Sequence, residues 1–191
     1  MGKVFIVSGQ SGIGKNTILD ILLERHPDWY KIVTCTTRPP RPTDVNGVDK
    51  VFVSKEKFME MIEDDEFAEY AKVHNFYYCT PRHEIERSLK DKTTTLLEID
   101  VQGSLILKEE YPEITLIFLQ FEPGKLEQQI RNRFLNDPKR TKISEEEILT
   151  RIETAKKEEA YKNKYDFVIT NFEGKAEQTA DGVEKIINYK V

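Results

Sequence analysis

The sequence predicts an α/β fold built on a mainly parallel sheet, on three observations. Short apolar runs alternate with amphipathic segments along the chain. The runs are rich in Val, Ile, Leu and Phe without strict alternation, the composition of strands covered on both faces. A glycine-rich turn joins the first run directly to the first helical segment.

The first strand is expected over 3–8 (KVFIVS), followed by a helix over 15–25. Ile18, Leu19, Leu22 and Leu23 give that helix an apolar stripe, and Pro27 stops it. A second strand is expected over 31–35 (KIVTC). Residues 36–54 (TTRPPRPTDVNGVDKVFVS) break the rhythm and read as a loop plus an antiparallel excursion, inserted between sheet elements. Helices follow over 55–64 and 82–90, then a strand over 95–100, a helix over 103–110 and a strand over 115–121. Residues 124–162 are mostly charged, with helices over 124–136 and 144–162 around a hinge-like NDPKRTK; they read as a solvated helical pair or as a lid. A strand over 166–170 and a helix over 174–188 complete the pattern.

At 191 residues the chain fits one domain with a substantial core. A net charge of -5 argues against a broad nucleic-acid surface. No stretch approaches the length of a membrane span, and a strand at the N-terminus leaves no room for a signal peptide. Two cysteines without a CxxC pattern suit free thiols in a reducing cytoplasm. No membrane or nucleic-acid partner is expected, and the chain is expected to be a monomer or a homodimer.

The chemistry starts at residues 9–17, GQSGIGKNT, where Gly9, Gly14 and Lys15 have the spacing of a phosphate-binding loop between a strand and a helix. Such glycines let successive backbone N–H groups face phosphate oxygens, and the following helix presents its N-terminal dipole. Gly9, Gln10, Ser11, Gly12, Ile13, Gly14, Lys15, Asn16 and Thr17 are therefore candidate nucleoside-triphosphate-binding residues, the ATP-binding set that the resemblance below implies. The usual hydroxyl after the lysine is replaced by Asn16, with Thr17 one place later, so these two are candidates to help seat Mg²⁺, held mostly through the phosphates.

A second cluster lies at TCTTRPPRPTDVNGVDK (34–50), where prolines brace Arg38 and Arg41 for gripping a phosphate. Further along, EFAEYAKVHNFYYCTP (66–81) brings Glu69, Tyr77, Tyr78 and Thr80, and LLEIDVQG (96–103) ends a buried strand with Glu98 and Asp100. Carboxylates at the carboxyl end of a parallel strand lie where open α/β sheets bind ligands.

Taken together, GxSGxGK, TTRxPRxxxxNGxDxxF, FxExAxVxxxxYxTP and LLEIDxQG resemble guanylate kinase, in order and over essentially the whole chain. The resemblance implies a P-loop NTPase fold with a five-stranded, mainly parallel sheet flanked by helices, a small mixed α/β GMP-binding insert and a helical lid. It implies a core of about 1–33, 82–123 and 163–191, the insert over about 34–81 and the lid over about 124–162. It implies ATP with Mg²⁺ as donor, GMP or dGMP as acceptor, and a place in purine nucleotide metabolism. Arg38 and Arg41 would grip the GMP phosphate, with Tyr78 a contacting phenol; Glu69 and Asp100 would accept from guanine, and Thr34 and Thr80 would face the base. Arg131, Arg133 and Arg151 match lid arginines, with Arg140 a weaker match, and Asn171 a position near the donor adenine. The catalytic set so implied is Lys15, Arg38, Arg41, Arg133 and Arg151; Asp44, Lys50 and Glu98 complete the GMP-binding set.

The chain also departs from that pattern. Lys50 stands where the family usually has a tyrosine, Asp44 where it has a glutamate, and the common GNxYGT reads NFYYCT. Phe172, Glu173 and Gly174 follow Asn171 where two acidic residues are usual, and the stretch between Arg133 and Arg151 is longer than typical. Two other readings therefore stay open: a related phosphotransferase with another nucleotide or a sugar phosphate as acceptor, and a non-catalytic interaction domain of the same type. His26, His74 and His83 fall in no motif and are expected to be structural or exposed.

Overall fold

The computed structural model describes residues 3–41, 44–73, 75–135 and 143–190. Arg140, His74 and the hinge-like stretch 136–142 lie outside them.

The described elements run β1 (Lys3–Gly9), α1 (Lys15–Arg25), β2 (Tyr30–Lys31), β3 (Cys35–Thr36), β4 (Val51–Phe52), α2 (Lys55–Glu63), β5 (Phe67–Val73) and β6 (Phe76–Pro81). There follow α3 (Arg82–Lys90), β7 (Thr94–Glu98), α4 (Val101–Glu110), β8 (Thr115–Phe121), α5 (Leu126–Leu135), α6 (Glu145–Glu159), β9 (Phe167–Asn171) and α7 (Ala176–Lys190). A five-stranded sheet has the order β2-β7-β1-β8-β9, with the β2–β7 and β8–β9 pairs parallel. A four-stranded sheet has the order β4-β3-β6-β5. The α/β class and the mainly parallel sheet read from the sequence are what the fold contains.

Three departures have physical causes. The run 31–35 serves both sheets: Tyr30 and Lys31 pair with β7 in the larger, whereas Cys35 and Thr36 pair with β4 and β6 in the smaller. The excursion ending in VFV is not antiparallel to its neighbour, because β3 and β4 pair in parallel; the antiparallel pairs are β3–β6 and β5–β6. The β5–β6 hairpin was no strand candidate at all, because its strands carry Glu69, Lys72 and Thr80 and its register shifts between Phe67 and Glu69.

The chain divides into two compact units, one of Met1–Phe5, Asp28–Leu97 and Gln102–Thr115, the other of Ile6–Pro27, Glu98–Val101 and Leu116–Val191. In the first, the small sheet covers an apolar cluster of Cys35, Phe58, Phe67 and Cys79, and the Phe58 and Phe67 rings pack with centres 4.8 Å apart and planes tilted by 41°. Cys35 and Cys79 face each other across β3 and β6 as buried free thiols. In the second, Leu116, Ile117, Phe118 and Leu119 of β8 are fully buried, as in a strand covered on both faces. Helix α1 buries Ile18, Leu19 and Leu22, and α7 buries Ala180, Val183 and Ile187. Arg25 joins these two helices through Glu177, Asp181 and Glu184, which recur at helical spacing along α7. Ser144 and Glu147 form a reciprocal capping box that starts α6.

Candidate functional site

The candidate phosphate loop lies wholly in the second unit, and its shape is a main-chain property. Gly9 has φ 134°, and a Cβ there would stand 2.1 Å from the Leu119 carbonyl oxygen, so no other residue fits. Gly12 and Gly14 also have positive φ, at 81° and 105°. The Gln10 N–H donates to the Leu119 carbonyl at 3.1 Å, which fixes the loop against the end of β8. Lys15 turns back so that Nζ donates to the Gly9 carbonyl at 3.1 Å. Asn16 and Thr17 are exposed in the first turn of α1.

A cavity of about 400 Å³ adjoins the loop. Gly12, Gly14, Thr17, Arg133, Asn171 and Phe172 are among its lining residues. That volume is in the range of pockets that hold a drug-sized ligand. Asn171 is oriented from both ends of its amide: Nδ2 donates to the Ile13 carbonyl at 2.8 Å, and Oδ1 accepts from the Thr179 hydroxyl at 2.7 Å. Arg133 Nη1 lies 2.9 Å from where a Cβ on Gly14 would stand. Arg151 lies over the Phe134 ring at 4.7 Å, and the edge of that ring packs on Gly12. Arg131 behaves differently: it is held by Glu127 at 3.0 Å and Glu145 at 2.6 Å, and it does not line the cavity.

Three residues in this unit were not singled out from the sequence: Phe134, Thr179 and Glu158. Glu158 Oε2 accepts from the Ser11 N–H at 2.5 Å. Burial pushes its carboxyl above the usual range, Lys15 and the Ser11 N–H pull it down, and the Asp100 charge adds to the rise. Phe134 and Glu158 sit on helical stripes that read as ordinary packing, so no local pattern marks them.

The first unit gathers a cluster of polar side chains that hold one another. Arg38 Nη2 donates to Asp44 Oδ2 at 2.7 Å, and Arg38 Nη1 donates to the Pro39 carbonyl at 2.8 Å. Asp44 also accepts from the Arg41 N–H at 2.8 Å, while Arg41 is itself exposed. Burial pushes the Asp44 carboxyl up, but the Arg41 N–H and the Arg38 guanidinium together outweigh it and hold the group below the usual carboxylate range. Lys50 Nζ donates to the Thr34 hydroxyl at 2.8 Å, so the lysine and that threonine act as a pair. Tyr78 is half-buried on β6, opposite Thr36.

Glu69 is buried at 6% exposure and accepts from the Thr80 hydroxyl at 2.6 Å. Its Oε2 lies 2.7 Å from where a Cβ on Gly103 would be, in the first turn of α4. Gly103 thus leaves the space that the carboxylate occupies, a role that depends on tertiary approach and was not read from the sequence. Glu98 closes β7, and Asp100 stands directly ahead of α4; both are partly buried.

Among the described residues no group of three or more His, Cys, Asp or Glu could hold a metal, and no helix is long and apolar enough to cross a membrane. His26 pairs with Glu184 at 2.9 Å, and His83 is exposed.

A family model described as guanylate kinase matches residues 1–190. The guanylate kinase of Caldanaerobacter subterraneus subsp. tengcongensis is 41% identical over 170 residues, 89% of this chain and 80% of that protein. That of Oceanobacillus iheyensis is 39% identical over 186 residues, 97% of this chain and 86% of that protein. Among solved structures, guanylate kinase from Anaplasma phagocytophilum superposes with a TM-score of 0.76 at 29% identity, over 99% of this chain and 86% of that one.

Proposed function

Because the chain belongs to the guanylate kinase family, we propose that it transfers the γ-phosphoryl group of ATP to GMP, and to dGMP, giving GDP or dGDP and ADP. The observation that carries the acceptor assignment is the buried Glu69 carboxylate, which shares a unit with Arg38, Lys50 and Thr80. Guanine offers two adjacent donors on one edge, and a carboxylate only accepts. Adenine lacks that pair and would set the N1 lone pair against the carboxylate, a costly mismatch.

ATP takes the phosphate loop and the cavity beside it. Phosphoryl transfer needs positioning and neutralisation more than covalent chemistry. An oxygen of the GMP phosphate forms the new bond to the γ-phosphorus, the bond to the bridging oxygen breaks, and ADP leaves with that electron pair. Lys15, Arg133 and Arg151 neutralise the donor's side of the transferring group, and Arg38 and Arg41 the acceptor's. A guanidinium carries five N–H donors, so Arg38 retains donors for phosphate while Asp44 and the Pro39 carbonyl hold its orientation. Glu69, Asp100, Thr34 and Thr80 select the base; Lys50, Tyr78 and Asp44 complete the acceptor's seat, and Asn171 supports the donor base.

Asn16 and Thr17 are exposed oxygen-bearing residues at the start of α1, a donor set that suits Mg²⁺, which keeps several waters and takes oxygen ligands. When bound with ATP, Mg²⁺ neutralises charge on the phosphate oxygens. Neither open alternative is favoured: Gly9, Gly14 and Lys15 are all in place, as a non-catalytic domain would not require.

ADP release with ATP, Mg²⁺ and a panel of nucleoside monophosphates tests the proposal. GMP and dGMP are expected to stimulate release strongly, and AMP, CMP and UMP weakly. Equal stimulation across the panel would overturn it.

A further inference from the structure

Two bonds tie helix α6 to the opening turn of the phosphate loop. Gln10 Nε2 donates to the Ala155 carbonyl at 3.1 Å, and the Ser11 N–H donates to Glu158 Oε2 at 2.5 Å. Gln10 is 1% exposed, and its Oε1 accepts from the Phe121 N–H at 2.6 Å, so one side chain bridges the end of β8 and α6. Arg151, Ala155 and Glu158 lie on one face of α6 at helical spacing. Arg151 reaches the same loop through Phe134, over whose ring it stacks at 4.7 Å and whose edge would meet a Cβ on Gly12 at 3.3 Å.

An anion cannot bind the donor's phosphates directly, so whatever Glu158 contributes passes through what it holds. It holds a loop amide on one side and the helix that carries Arg151 on the other.

We propose that Glu158 is a positioning residue of the donor site: with Gln10 it clamps α6 to the phosphate loop and so sets Arg151 in place for the transferring phosphate. The proposal rests on the reading of the chain as an ATP-dependent GMP kinase. The competing role is that of a placeholder, a carboxylate that occupies the Ser11 N–H only until a phosphate displaces it.

The test has three arms on the full chain. In steady-state kinetics, Glu158→Ala is expected to lower kcat about 30-fold while KM for ATP stays within about threefold. Glu158→Gln, whose amide oxygen still accepts from Ser11, is expected to recover about tenfold of that loss. In a double-mutant cycle, Arg151→Ala made on Glu158→Ala is expected to cost less than about threefold further, because the first change already displaces the arginine.

The third arm uses no nucleotide: hydrogen exchange of the Ser11 amide is expected to be slow in the ligand-free protein and about tenfold faster in Glu158→Ala. Should Glu158→Ala fail to fold, Glu158→Gln must keep the Ser11 protection. A Ser11 amide unprotected in the wild type, fully multiplicative losses in the cycle, or tighter ATP binding with unchanged kcat would each overturn the clamp. Absence of GMP-stimulated ADP release in the wild type would overturn the proposed function instead, and Ser11 exchange would still decide the clamp.

Discussion

The two units build their sites from different material. The proposed donor unit makes its phosphate seat from main chain, with Gly9, Gly12 and Gly14 at positive φ. The proposed acceptor unit makes its seat from side-chain pairs: Arg38 with Asp44, Lys50 with Thr34, and Thr80 with Glu69. A backbone cradle depends on a conformation that one residue type permits, so it fails abruptly. A cradle of side-chain pairs degrades by degrees and admits substitution. Departures from the family pattern fall in both units, Asp44, Lys50, Phe76 and Cys79 in the acceptor unit and Asn16, Phe172, Glu173 and Gly174 in the donor unit. The backbone-defining Gly9 and Gly14 and the adjoining Lys15 nevertheless stand as the phosphate-loop pattern requires.

The largest effect should come from attacking the backbone cradle. Gly9→Ala places a Cβ 2.1 Å from a main-chain oxygen of β8, which cannot move like a flexible side chain. The expected cost is about 3 kcal/mol or more in stability, with loss of ATP binding. Thermal melting and calorimetric titration with ATP check it; a variant that melts as the wild type and still binds ATP would erase the contrast between the two units.

Next is Glu69→Gln in the acceptor unit. The amide presents a donor as well as an acceptor, so discrimination of GMP against AMP should fall by about 10- to 100-fold, about 1.4–2.7 kcal/mol, with ATP affinity retained. Competition kinetics with the two monophosphates reads this. Gly103→Ala should act in the same direction, because its methyl group would stand 2.7 Å from Glu69 Oε2. If selectivity survives both changes, Glu69 is not the group that reads the base.

How much of this was legible in the sequence follows the same division. The phosphate loop announces itself because a backbone function fixes residue types at a spacing, and the strand before it and helix after it supply the context. Helix α1 spans the predicted Lys15–Arg25 because Gly14 and Pro27 punctuate a clear apolar stripe. Helix α4 begins two places earlier than expected, at Val101, because glycine at 103 in its first turn hides the start. The acceptor cluster was reached through resemblance, since Glu69 taken alone reads as a surface carboxylate; only the pairing of β5 with β6 buries it beside Thr80. Gly103, Phe134 and Glu158 were out of reach for a related reason. Each is defined by what comes close to it in space, and no spacing along the chain encodes that approach.

A smaller effect tests whether the acceptor pairs are individually modest. The folded Asp44 carboxyl titrates below its unfolded value, so the stability it contributes is fully present above about pH 4 and is lost as pH falls through the folded value. Asp44→Asn should therefore lower the melting temperature by about 1–3 °C at neutral pH, and the gap should close in more acidic buffer. KM for GMP should rise by about fivefold as Arg38 loses its tether, with kcat affected less. A gap that widened in acid would reverse the sign of the linkage and remove the ion pair from the account.

The smallest effect concerns a position in the phosphate loop where the side chain departs from the usual pattern. Asn16 is exposed in the first turn of α1, and Thr17 beside it lines the cavity. An amide oxygen is a serviceable but weaker ligand for a hard cation than a well-placed hydroxyl. Asn16→Ser should therefore lower the Mg²⁺ concentration for half-maximal activity by about two- to threefold and raise kcat/KM for ATP by a similar factor. The glycine geometry is untouched, so stability should not change. A Mg²⁺ titration at fixed ATP and GMP reads the effect. A large loss of activity would mean that the asparagine carries a side-chain role in the donor unit, and the line between a backbone-built donor seat and a side-chain-built acceptor seat would have to be redrawn at residue 16.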